Sequence, residues 1–213
     1  MNFQSFIDQV RLELSSELPG EDAQMLMSPL GRATQREAIK QIPNPTPSAI
    51  LILIYPVNNV PHTLLMVRNS YDGHHSGQVS FPGGKVEPSD KNLAETALRE
   101  FEEEIGVGTS SVEVLGELSS LIIPPSGFQV FPYVGFLDQP IVPQPDPTEV
   151  AGIVETSITN LFDSRNKRVE MVNSSVKGFK LKAPCYVIDN NIIWGATAMI
   201  LSEFESIYKR FEF

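Results

Sequence analysis

Residues 81–107 read FPGGKVEPSDKNLAETALREFEEEIGV. Ala94, Ala97, Leu98, Phe101 and Ile105 fall on one stripe when successive residues turn by about 100°. The spacing predicts an amphipathic helix with that stripe against the core. Glu100, Glu103 and Glu104 lie together within an arc of about 100° opposite or beside the stripe, whereas Glu102 points elsewhere. Like charges at such spacings weaken a helix by roughly a few tenths of a kcal/mol per pair unless a cation fills the gap. Carboxylate oxygens are hard ligands that suit Mg²⁺, which bridges a few protein carboxylates to substrate phosphates.

Alone, EFEEE reads more simply as a solvated acidic face, and its neighbours change the balance. Arg99 stands four residues after Glu95 and four before Glu103, where it either orients a ligand carboxylate or pairs at the surface. Asp90 reads as a helix N-cap, as does Asn92 with Glu95 completing a capping box, and Gly106 reads as the helix end. Gly83 and Gly84 follow an apolar strand candidate and let backbone approach a ligand, although paired glycines by themselves mark a turn.

On the N-terminal side, AILILIYPV and HTLLMVR read as a hairpin joined at Asn58–Asn59. VEVLGELSSLII, GFQVFPYVGFL and EVAGIVETSI read as further strands, and SITNLFDSR as a short helix capped by Ser157. RVEMVNSS and GFKLKAPCYVI read as a second hairpin. A strand and a helix close the chain, with Ala198, Leu201, Phe204 or Glu205, and Tyr208 on one helical face. At the start, Phe3, Ile7, Val10 and Leu14 predict a core-covering helix, ELPGEDAQMLMSPLGR reads as loop, and IPNPTPS as an extended arm. Residues 1–47 are thus expected to form a helix and proline-rich arm packed on a main domain at 48–213. Strands and helices mix without regular alternation, so the expected class is α+β.

At 213 residues, with 41% apolar and 20% charged, the chain can bury a sizeable core. Its formal net charge of -10 and lack of any Lys/Arg run argue against nucleic-acid or anionic-membrane binding. Cys185 is the one cysteine, MNFQSFIDQV lacks a signal-peptide layout, and the apolar run at Ala49–Tyr55 is too short to span a bilayer. The expected setting is soluble and cytoplasmic. Self-association as a homodimer is left open.

Together, Gly84, Asp90, Arg99, Glu100, Glu103, Glu104 and Gly106 resemble the Nudix hydrolase box, Gly-x5-Glu-x7-Arg-Glu-apolar-x-Glu-Glu-x-Gly-apolar. REFEEEIGV matches at every specified position. The first half departs twice: Asp90 replaces glutamate, and eight residues rather than seven separate it from Arg99. That extra residue resembles the coenzyme A pyrophosphatase branch. The branch carries a further signature, Leu-Leu-Thr-x-Arg-Ser-x3-Arg-x3-Gly-x3-Phe-Pro-Gly-Gly. Here Leu64, Leu65, Arg68, Gly77, Phe81, Pro82, Gly83 and Gly84 supply it, while Met66, Asn69 and Gly73 depart.

The resemblance, which covers roughly residues 48–201, implies a Nudix-type α/β/α sandwich with a mixed central sheet. It implies hydrolysis of a diphosphate linkage with Mg²⁺ or Mn²⁺ as cofactor. Glu100, Glu103 and Glu104 would bind the metal with the Gly83 carbonyl, and Arg99 would position them, paired with Asp90 or Glu95. Arg68, His75, Gly84 and Lys85 are the expected substrate-binding positions. The general base is expected among Glu100, Glu103 and Glu149, because Ser119–Leu137 contains no Asp or Glu; Glu149 reads equally as a surface residue at a strand start. The implied substrate is coenzyme A or its esters, cleaved to 3′,5′-ADP and 4′-phosphopantetheine. ADP-ribose, NADH or a dinucleoside polyphosphate are the alternatives, and a non-catalytic ligand-binding domain is the rival from another class. His74 is a further phosphate-contact candidate; His62, Trp194 and Cys185 read as structural.

Overall fold

The computed structural model describes residues 2–69, 77–173 and 180–211. The helices are α1 (Phe3–Leu14), α2 (Gly20–Met25), α3 (Gln35–Gln41), α4 (Leu93–Ile105), α5 (Ile158–Leu161) and α6 (Gly195–Tyr208). Strands β1 (Thr46–Val57), β2 (Val60–Arg68), β3 (Val79–Ser80) and β4 (Gly83–Lys85) precede α4. After it come β5 (Glu113–Glu117), β6 (Leu121–Ile123), β7 (Phe128–Phe136), β8 (Val150–Ser157), β9 (Lys167–Asn173), β10 (Lys180–Ile188) and β11 (Asn191–Trp194).

The alternation of β1 builds the layers. Ala49, Leu51, Leu53 and Tyr55 point to one face, where Ala97, Phe101 and Ile105 of α4 cover them. Ile52 and Ile54 point to the other, beneath Phe6, Ile7 and Val10 of α1 and Leu201 and Phe204 of α6. A two-residue side-chain period thus places helices on both sides of the sheet. The sheet has eight strands, with the main order β3-β2-β1-β7-β5; β4 pairs β1, β6 pairs β7 and β8 pairs β2. β1 runs parallel to β7 and antiparallel to β2 and β4, so the sheet is mixed and the architecture is the expected α/β/α sandwich. A second sheet, β11-β10-β9, packs with α6.

The predicted first hairpin forms at Asn58 and Asn59, with φ of 50° and 64°, the left-handed backbone that a two-residue turn demands and asparagine tolerates. Ser157 caps α5 by accepting from the Asn160 N–H.

Two expectations change. The ELPGEDAQMLMSPLGR segment is not all loop: it contains α2, docked through the buried Glu203 carboxylate, which accepts from the Gly20 N–H at 3.1 Å and Gln24 Nε2 at 2.9 Å. α3 follows, opened by a capping box in which Thr34 and Glu37 satisfy each other's backbone N–H groups. The closing helix α6 is buried nearly all round, from Ala198 through Glu205, because it lies between the two sheets rather than on one surface. Among the described residues no helix is long and apolar enough to cross a membrane.

Candidate active site

Asn92 caps α4 by accepting from the Glu95 N–H at 2.9 Å, and Gly106, at φ 70°, ends it. The capping box is only half formed, since the Glu95 carboxylate turns to the Lys91 N–H. Asp90 is not the cap. Its carboxylate receives Arg99 Nε at 2.9 Å and Nη2 at 3.0 Å, together with the Glu87 N–H and the Thr96 hydroxyl. The guanidinium holds the Asp90 carboxyl well below the usual carboxylate range.

Arg99 makes three further bonds: Nη1 to Glu100 at 2.9 Å and to Glu103 at 3.0 Å, and Nη2 to the Lys85 carbonyl at 3.0 Å. All its donors are thereby engaged. Arg99 ties two box glutamates to Asp90 and to the β4 backbone.

Glu104 is 2% exposed; it accepts from the Gly83 N–H at 2.8 Å and lies 3.6 Å from Arg68 Nη1. Burial pushes its carboxyl up to about 8, against the opposing pull of the Gly83 N–H and Arg68. Burial also raises Glu100, with Arg99 opposing. The charge of Glu149 raises both further, so the fold brings Glu149 near the ridge from the residue before β8. Glu102 turns away as helical geometry predicts, accepting from the Thr109 N–H and hydroxyl.

Gly84 owes its lack of a side chain to this ridge: a Cβ there would stand 2.4 Å from the Glu100 carboxyl carbon. At Gly83 a Cβ would stand 2.3 Å from the Ala49 carbonyl oxygen, against the backbone of β1.

Glu100, Glu103 and Glu104 are hard oxygen donors, and two of them sit where burial disfavours a bare anion, so their chemistry fits a divalent cation. Among the described residues no group of three or more His, Cys, Asp or Glu side chains is already gathered closely enough to hold one. Glu100 and Glu103 both accept from Arg99 Nη1. Glu103, 58% exposed, can rotate to join a cation.

A cavity of about 650 Å³ opens beside the ridge, with Gly83, Gly84, Lys85 and Arg68 in its wall and Phe128 and Trp194 among its apolar lining. Arg68 thus reaches both cavity and Glu104, while Lys85 Nζ sits 5.4 Å over the Phe128 ring. His75, like His74 and Gly73, lies outside the described residues. Sequence reasoning passed over Trp194 as structural and Arg32 as loop, yet both line the cavity. Nothing local in SPLGRAT marks Arg32; only the tertiary docking of the arm brings it there.

A family model described as NUDIX domain matches residues 45–171. A Yersinia enterocolitica protein named uncharacterized Nudix hydrolase NudL is 39% identical over 141 residues, covering 66% of this chain and 71% of its own. The Yersinia pestis (strain Pestoides F) protein of that name is 34% identical over 196 residues, 92% of this chain and 89% of its own. The crystal structure of a MutT/nudix family protein from Enterococcus faecalis aligns with a TM-score of 0.50 at 16% identity, covering 83% of this chain and 70% of that one, a likeness of fold.

Proposed function

The chain belongs to the Nudix family of hydrolases acting on phosphoric anhydrides, and from that premise we propose that it cleaves the diphosphate linkage of coenzyme A or a CoA ester. The observation that carries the reading is the position of Gly83 and Gly84, which touch the α4 carboxylates and also wall the 650 Å³ cavity. A diphosphate lying along them would meet the acidic ridge while its organic arms enter an apolar space. The Leu64–Gly84 signature supports CoA over other nucleoside diphosphates.

Family members generally use divalent metals, and here Glu100, Glu103 and Glu104, with the Gly83 carbonyl, would hold Mg²⁺ or Mn²⁺. The ion supplies charge neutralisation and polarisation of the phosphoryl group. The remaining roles belong to the chain. Arg99 fixes the ridge through Asp90. Arg68 and Lys85 meet phosphate oxygens at the cavity mouth. Glu149, exposed and near Glu100, is placed to take a proton from the attacking water, with Glu100 and Glu103 as the other candidates. Cys185 is free and buried, which suits a reducing cytoplasm.

The test is a product analysis by mass. CoA, ADP-ribose, NADH and a dinucleoside polyphosphate are each incubated with the protein and millimolar Mg²⁺ or Mn²⁺. The proposal expects 3′,5′-ADP and 4′-phosphopantetheine from CoA, with turnover abolished by chelation. Intact CoA beside rapid cleavage of ADP-ribose would overturn the substrate while leaving the family chemistry standing.

A further inference from the structure

Arg32 stands apart from the arginines that serve the ridge. It lies half-buried on the N-terminal arm, lines the cavity, and has no acidic partner among the described residues. Its Nη2 donates to the Ile122 carbonyl, whereas its buried Nε has no hydrogen-bond partner among the described residues. Ser80 Oγ, in the wall of the same cavity, is also buried without a hydrogen-bond partner among the described residues. A half-buried guanidinium with an unused donor carries an uncompensated desolvation cost, and a planar anion matches its fork.

The arm holds Arg32 in place. Gln35 holds β6 and the residue before it, accepting from the Ile122 N–H at 3.0 Å and donating to the Ser120 carbonyl at 2.6 Å. Glu21 accepts from the Gln35 N–H at 2.6 Å, and Gln24 ties α2 to Glu203 and the Ser119 carbonyl. The guanidinium is therefore fixed over β6 rather than adrift on a loop.

Its distance from the ridge identifies what it meets. β6 is separated from β4 by β7 and β1, and Ile122 pairs Gln129, which pairs Pro47, whose carbonyl bonds Val86 beside Lys85. Three strand spacings of about 4.8 Å put Ile122 roughly 14 Å from the β4 backbone. One diphosphate seated on the ridge cannot reach that far.

We infer that Arg32 is a specificity-determining residue that binds a second anionic group, carried on an organic arm of the diphosphate substrate. The inference rests on the proposed diphosphate site. A sugar phosphate or a carboxylate at the end of an acyl chain supplies the same chemistry, and the experiment separates them.

Thermal unfolding is followed against inorganic phosphate at constant ionic strength in the full chain, Arg32→Met and Arg32→Lys. Phosphate should stabilise the native protein, with its half-saturating concentration raised about tenfold or more in Arg32→Met and less in Arg32→Lys. An unchanged phosphate dependence in Arg32→Met overturns the inference. In parallel, kcat/KM is compared for CoA against 3′-dephospho-CoA and for succinyl-CoA against acetyl-CoA. One ratio should exceed about tenfold and collapse toward one in Arg32→Met. The first pair identifies the sugar phosphate, the second the acyl carboxylate; neither ratio moving by more than about twofold overturns the inference. Should no CoA species turn over, the CoA proposal fails and the phosphate titration alone decides Arg32.

Discussion

Alanine at Gly84 and alanine at Gly83 should produce opposite failures, although the residues are adjacent. At Gly84 the added Cβ would stand 2.4 Å from the Glu100 carboxyl carbon and Oε2 and 2.5 Å from Oε1, all at the far end of a flexible side chain. The carboxylate swings aside and gives up its 2.9 Å bond from Arg99. Losing one charge-assisted hydrogen bond at a partly exposed site costs roughly 1–2 kcal/mol, or about 2–8 °C in Tm for a chain of this size. Displacing a positioned charge at the reacting centre costs about 100- to 1,000-fold in kcat. At Gly83, φ is 155° and the new Cβ meets the Ala49 carbonyl oxygen at 2.3 Å and the Ile50 Cα at 2.7 Å. Backbone paired in a sheet cannot swing aside, so strain and overpacking together cost about 2–5 kcal/mol. Thermal unfolding and initial rates on a diphosphate substrate, measured on both variants, distinguish the two. Gly84→Ala should keep its fold and lose turnover; Gly83→Ala should lose more stability than Gly84→Ala. A Gly84→Ala enzyme within about threefold of native kcat would refute the claim that Gly84 is spared a side chain for Glu100.

Glu103→Gln should lower kcat by roughly two to three orders of magnitude while Glu102→Gln changes it little, and equal losses in two folded variants would contradict the facing argument. Because burial lifts the Glu104 carboxyl to about 8, the folded state binds a proton there that the unfolded chain releases near the ordinary glutamate value. Stability of the metal-free protein in chelator should therefore be fullest in mild acid and fall as pH rises toward 8. Glu104→Gln should flatten that decline, with a gain on the order of 4 kcal/mol at pH 8; parallel pH curves would count against it. Asp90 behaves oppositely: Arg99 holds its pKa down, so its contribution is present above the ordinary aspartate value and lost as pH falls below it. Asp90→Asn should lose that acid-side dependence, and its kcat should fall because Arg99 loses the fork that aims Glu100 and Glu103.

Local signals sufficed where local physics governs. The stripe Ala97, Phe101 and Ile105 and the rotation of Glu102 away from Glu100 and Glu104 follow from helical periodicity, and Asn58–Asn59 announces its turn through backbone tolerance. Thr34 and Glu37 form a capping box legible from their spacing, in a stretch, 33–41, to which the sequence reading assigns no element. α2 was not legible, because Pro19 and Gly20 argue for a break and the compensation comes from Glu203, 183 residues along the chain from Gly20. The all-round burial of α6 likewise depends on a second sheet whose packing no window of sequence contains. At the site, the carboxylates were visible as a motif, whereas the reason for Gly84 and the Arg32 Nε, without a partner among the described residues, exist only once β4, α4 and the arm are brought together.

Under the proposed function, the acidic face of α4 is a divalent-cation platform. Titrating Mn²⁺ against the protein and following the free-ion electron paramagnetic resonance signal tests it without reference to substrate. Native protein and Glu102→Gln should deplete the signal alike, and Glu100→Gln, Glu103→Gln and Glu104→Gln should each weaken binding about tenfold or more. Binding of native strength in those three variants, or none by the native protein up to millimolar Mn²⁺, would contradict it.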